Sequence, residues 1–166
     1  MVARGGYGQL MTRKAEFNAE EWQHVVEGPL SAALLVTVAD RGGTIRESLS
    51  LARAYTHARE QSSGQELLDD LVASPPQLDP RSFGSRDELH DNALQRLRDA
   101  VALVESKADP GEAAEYKRFA MTLADTVARA HKEGGVLGIG GKEVSETEQA
   151  ALDEIAAVLG EPSEPR

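Results

Sequence analysis

Apolar residues recur along this chain at three- and four-residue intervals, the spacing that gathers them on one side of an α-helix. Leu89, Ala93, Leu97, Ala100 and Val104 form one such series, and Tyr116, Phe119, Leu123, Val127 and Ala130 another. Ala151, Leu152, Ile155 and Leu159 form a third, which stops at Gly160, a residue suited to a left-handed helix end. The stretch LSAALLVTVA, Leu30 to Ala39, is apolar on nearly every side and predicts a central helix wrapped by the others. Gly28 and Pro29 precede it and are expected to separate it from the helix before. LLVTV alone resembles a strand, but helical signals surround it, and no segment alternates with period two.

Helix starts are marked by a small polar residue followed three positions later by Glu, a pairing in which each side chain caps the other's backbone N–H. The pattern occurs six times: Asn18/Glu21, Thr44/Glu47, Ser63/Glu66, Ser85/Glu88, Asp109/Glu112 and Ser145/Glu148. Phe17, just before the first cap, is placed to pack on Trp22 as a hydrophobic staple. Pro110 follows Asp109 at the one helical position where a missing N–H costs nothing. Three prolines between Ser74 and Ser85 make that stretch a connection, because neither half of the chain carries enough apolar surface to stand alone. These signals predict an all-α, single-domain bundle of about six or seven helices over residues 17–160. Residues 1–16 and 161–166 are expected to be flexible ends and residues 74–85 a proline-rich connection within the domain; Met11 is an alternative translation start to Met1.

Composition narrows this further. Of 166 residues 40% are hydrophobic but only 4% aromatic, so the core must be built from Ala, Leu, Val and Ile, which favours close helix-on-helix contact. The absence of cysteine excludes disulfides, thiolate metal sites and cysteine nucleophiles. The apolar run Leu30 to Ala39 is too short to cross a bilayer, and no apolar leader opens the chain, so a soluble, cytoplasmic protein is expected. A net charge of −10, with 28 acids against 18 bases, repels phosphate backbones and argues against a nucleic-acid partner.

The glycine-rich segment HKEGGVLGIGGKEVSETE, His131 to Glu148, invites comparison with nucleotide-binding loops. A Walker loop would need Gly at Val136 and Ser or Thr at Glu143, and the dinucleotide pattern would need a third Gly at Glu143. Neither fits, and the element before the loop is helical rather than a strand. The structural reading is a helix end at Gly134 and Gly135, followed by Val136, Leu137 and Ile139 as anchors on the bundle. An earlier segment, VADRGGTIRESLSLA, repeats the device of apolar helix, acid, glycine pair, capping box and helix. Aligned on the glycine pairs, Glu47 matches Glu148, and Asp40 matches Lys132 or Glu133. Two such units can bring acidic ends together, and clustered carboxylates suit a hard cation such as calcium or magnesium; the competing reading is that Glu47 and Glu148 are simply capping residues.

This pair of units, VADRGGTIRES and GGVLGIGGKEVSETEQAALDEIAAVLG, resembles the tellurite-resistance TerB-like family over Leu30 to Ala58 and Phe119 to Leu159. The resemblance implies a compact all-α bundle serving a bacterial stress response, non-enzymatic, with an acidic surface for a divalent cation and for a protein partner. Carried over by position, it points to Asp40 and Glu47 in the first unit and to Glu133 and Glu148 in the second. Arg41 before the glycines and the eight-residue insert VLGIGGKE depart from the family's pattern.

Other constellations lead to different classes. Glu21 and His24 form a Glu-x-x-His pair, and Asp87 with His90 is a cousin of it, but a di-iron bundle needs two full motifs and two further acids. His57 and His131 lie near helix C-terminal ends, where the dipole favours them without a ligand. The pairs Glu112/Glu115 and Asp153/Glu154, and the group Glu66, Asp69 and Asp70, are expected to be solvated or to complement helix dipoles. The alternatives to a binding protein are therefore a metal-dependent hydrolase using helix-borne carboxylates and a purely structural or oligomeric bundle. The first requires three or more acids around one pocket.

Overall fold

The computed structural model describes residues 14–39, 52–57, 60, 66–73, 85–133 and 144–160. A 3-10 turn at Lys14–Glu16 leads into α1 (Ala19–Ala39), followed by α2 (Glu66–Ala73), α3 (Arg86–Lys107), α4 (Pro110–Glu133) and α5 (Glu146–Leu159). Residues 52–57 are also helical, and the described residues contain no strand. The protein is an all-α bundle, as the periodicity predicts. No helix among the described residues is long and apolar enough to cross a membrane.

Local capping explains where the helices begin. Asn18 Oδ1 accepts the Glu21 N–H at 2.9 Å while Glu21 Oε2 accepts the Asn18 N–H at 2.9 Å. Ser85 with Glu88 and Ser145 with Glu148 form the same reciprocal box. Asp109 Oδ1 accepts the N–H groups of Gly111 and Glu112 at 2.8 and 3.1 Å. Phe17 and Trp22 meet with ring centroids 5.9 Å apart, the expected staple. At the far end, Gly160 closes α5 in the left-handed region at φ 70°. Thr44 and Ser63 lie outside the described residues.

The core is aliphatic and rich in small residues. Ala32 and Ala33 of α1, Ala93 and Ala100 of α3, and Ala120, Ala124 and Ala128 of α4 are buried beside Leu35, Leu97, Leu123 and Ile155. Small side chains let the helix axes approach, which is how a chain with so few aromatics fills its interior. As predicted, the apolar stretch from Leu30 lies in a central helix, with α3, α4 and α5 all packed on α1. Ser31 and Thr37 are accommodated there because their hydroxyls donate to the carbonyls of Glu27 and Ala33 one turn back.

One expectation is overturned. Gly28 and Pro29 do not divide two helices but lie inside the continuous α1. Pro29 has no N–H to give the Val25 carbonyl four residues earlier, which would leave that buried oxygen unpaired. The Tyr116 hydroxyl, from α4, donates to the Val25 carbonyl at 2.7 Å and replaces the missing donor. Gly28 leaves room for this approach: a Cβ there would lie 2.6 Å from Ala100 Cβ and closer still to the Tyr116 hydroxyl. A glycine-proline pair that reads as a helix break thus becomes the point where three helices meet.

Helix directions follow from pairings along α1. Lys107 Nζ reaches Glu21 Oε2 at 2.6 Å, Arg96 Nη1 lies 3.4 Å from Glu27 Oε2, and Arg86 Nε donates to the Val38 carbonyl at 2.6 Å. As numbers fall along α3 they rise along α1, so the two helices are antiparallel. Only Ala108 and Asp109 join α3 to α4, and Lys117 pairs with Glu105 across that hairpin, so these two are antiparallel as well. Consequently α1 and α4 run parallel, and their C-terminal ends share one end of the bundle.

Candidate functional site

The shared end is where the two glycine-rich junctions of the sequence leave the bundle. α1 ends at Ala39, immediately before Asp40, and α4 ends at Glu133, immediately before Gly134. Their dipoles add partial negative charge there, a setting that favours cations. Arg86 already supplies one positive group to the carbonyl end of α1.

Of the four acids carried over from the family resemblance, one is described with its side chain. Asp40 and Glu47 lie outside the described residues; Glu133 is the last residue of α4, and its side chain is likewise outside them. Glu148 is buried, at 4% exposure. Its Oε2 accepts from the Ser145 N–H at 2.8 Å and the Ser145 hydroxyl at 2.9 Å, so that oxygen is held by the cap of α5. Among the described residues no group of three or more His, Asp or Glu side chains is arranged to hold a metal ion.

The remaining candidates lie apart from one another along the bundle. Glu21 is engaged with Asn18 and Lys107, and the Lys107 hydrogen bond, followed by that from the Asn18 backbone, holds its carboxyl below the ordinary value. His24, its partner in the Glu-x-x-His pair, has a buried Nδ1 without a hydrogen bond. Glu112 is buried at the start of α4, Glu115 pairs with Arg118, and Asp153 accepts from Gln149 at 3.0 Å. Lys14 donates its backbone N–H to Asp70 at 3.1 Å, tying the turn before α1 to α2.

Two clusters escaped the sequence reading. Lys107, at the end of α3, reaches Glu21 and the Glu16 carbonyl and stands 5.5 Å from the centre of the Phe17 ring. His90 meets Glu154, across 64 residues, and its neighbour Asp91. The Asp87-x-x-His90 spacing drew attention to the histidine but not to Glu154, because that pairing depends on how α5 packs on α3. No local signal encodes it.

Fold and charge together define an acidic, alanine-rich helical bundle whose two glycine-linked junctions leave from one end. Comparison of the chain with protein-family models, with curated proteins and with solved structures finds no match.

Proposed function

We propose that this chain is a non-enzymatic accessory protein of the TerB-like kind, acting in a bacterial stress response through an acidic surface at the shared end of α1 and α4. Asp40 and Glu47 from one junction and Glu133 and Glu148 from the other are its acidic residues. The surface takes a divalent cation, calcium or magnesium by the hardness of carboxylate oxygens, or a protein partner. The observation that carries this reading is the parallel course of α1 and α4, which start both glycine-rich junctions from one end of the bundle. The net charge of −10 adds to it, because a strongly acidic surface concentrates cations and basic partners.

The test is thermal unfolding with calcium, magnesium, manganese, zinc or ferrous iron, comparing the native chain with Asp40→Asn and Glu47→Gln. A ligand that binds only the folded state at a hundred times its Kd stabilises by about 2.7 kcal/mol, which moves Tm by roughly 5–11 °C for a chain of this size. The expected result is a rise for calcium or magnesium that both substitutions abolish. No rise with any ion at millimolar concentration refutes the cation-binding surface.

A further inference from the structure

The His90 cluster joins two helices and shares no residue with the proposed cation surface. His90 lies in the second turn of α3, and its Nε2 is 2.9 Å from Glu154 Oε2 on α5. Its Nδ1 is 3.3 Å from Asp91 Oδ1 on the same helix. Both ring nitrogens therefore face carboxylate oxygens, which cannot donate when ionised. Only the doubly protonated ring has an N–H for each. A neutral ring presents a lone pair to one carboxylate or the other, whichever tautomer it adopts, and that contact becomes repulsive.

We propose that His90 is a proton-operated clasp: protonated, its ring ties α5 to the start of α3, and deprotonation loosens α5 from the bundle. α5 suits such control. It is a short helix of 14 residues, held on the bundle by the buried face of Ala151, Leu152, Ile155, Ala156 and Leu159. Glu154 and His90 are each a little over one-third exposed, so proton exchange and outward rotation of the carboxylate are both open to them.

The surrounding charges agree with this direction. On α3, Asp91 touches the ring, and Asp87 and Arg86 lie within one turn; on α5, Asp153 neighbours Glu154 but accepts from Gln149. The antiparallel pairing sets His90 opposite the Pro29 to Ala39 portion of α1, which carries no ionisable side chain. Among the described residues, the charges acting on the ring are those of Glu154 and Asp91. Partial burial opposes the charged ring, but the bonds to Glu154 and then Asp91 outweigh it and raise the pKa above the ordinary 6.5. A group raised on folding contributes stability that is fully present below its unfolded pKa and lost as pH rises through the folded one. The clasp therefore closes on the acid side.

Hydrogen exchange on the full chain, corrected for intrinsic rates, between about pH 5.5 and about pH 8.5 tests this, alongside an NMR titration of the His90 ring. The expected result is that protection of α5 amides falls about two- to fivefold as pH rises, the range for a solvent-screened pair. In His90→Gln that pH dependence disappears. In Glu154→Gln the ring titrates nearer its ordinary value. The clasp is overturned if His90→Gln keeps the native pH dependence of α5, or if Glu154→Gln leaves the His90 titration unmoved.

Discussion

Replacing Tyr116 by Phe removes one oxygen atom and tests why α1 can run through Pro29. Tyr116 is 1% exposed and Val25 fully buried, so no water reaches the Val25 carbonyl when its donor is lost. Burial, and after it the charge of Tyr55, raises the Tyr116 pKa well above its ordinary value, so the hydroxyl remains a donor throughout the neutral range. An unsatisfied buried carbonyl costs about 1–3 kcal/mol, partly offset because Phe has no hydroxyl to desolvate. We expect a loss of about 2 kcal/mol, or a fall in Tm of roughly 4–8 °C for a chain of this size. Equilibrium urea unfolding gives the free energy, and an unchanged m-value shows that the fold is retained. The decisive control is Pro29→Ala, which restores an N–H four residues after Val25. On that background Tyr116→Phe should cost about 1 kcal/mol less, because the carbonyl has regained its helical donor. Equal costs on the two backgrounds, within about 0.5 kcal/mol, refute the account of the hydroxyl as a substitute donor.

Gly28→Ala should destabilise by about 1–3 kcal/mol in the same assay, although alanine is the better helix former by about 1 kcal/mol, because its methyl meets Ala100 and the Tyr116 hydroxyl. Stabilisation on that substitution would mean that the three helices are not in close contact there. Ser145→Ala removes the cap of α5 and should cost about 1 kcal/mol, with faster hydrogen exchange confined to that helix. Lys107→Met should move the Glu21 carboxyl back up toward its ordinary pKa in an NMR titration, since the Lys107 bond is the largest cause of its depression. Because that pKa is lowered on folding, the native pair contributes stability above the unfolded carboxylate pKa and loses it as pH falls through the folded one; Lys107→Met should flatten this acid-side dependence.

Much of the architecture was legible because its causes are local. Capping at Asn18, Ser85 and Ser145 acts over three residues, and the Phe17–Trp22 staple over five, so both can be read without knowing where the rest of the chain goes. The period of Leu97, Ala100 and Val104 likewise marks a buried face whatever packs on it. The continuity of α1 was decided by the tertiary structure. Within its own neighbourhood Gly28–Pro29 is a break; it becomes a helix interior only because Tyr116, 91 residues from Val25, gives the Val25 carbonyl the hydrogen bond that proline cannot. The His90–Glu154 pairing and the common end reached by α1 and α4 have the same origin. Both depend on helix directions and rotations, set by how small side chains interlock across the core, and sequence spacing within one helix carries no information about the face of another.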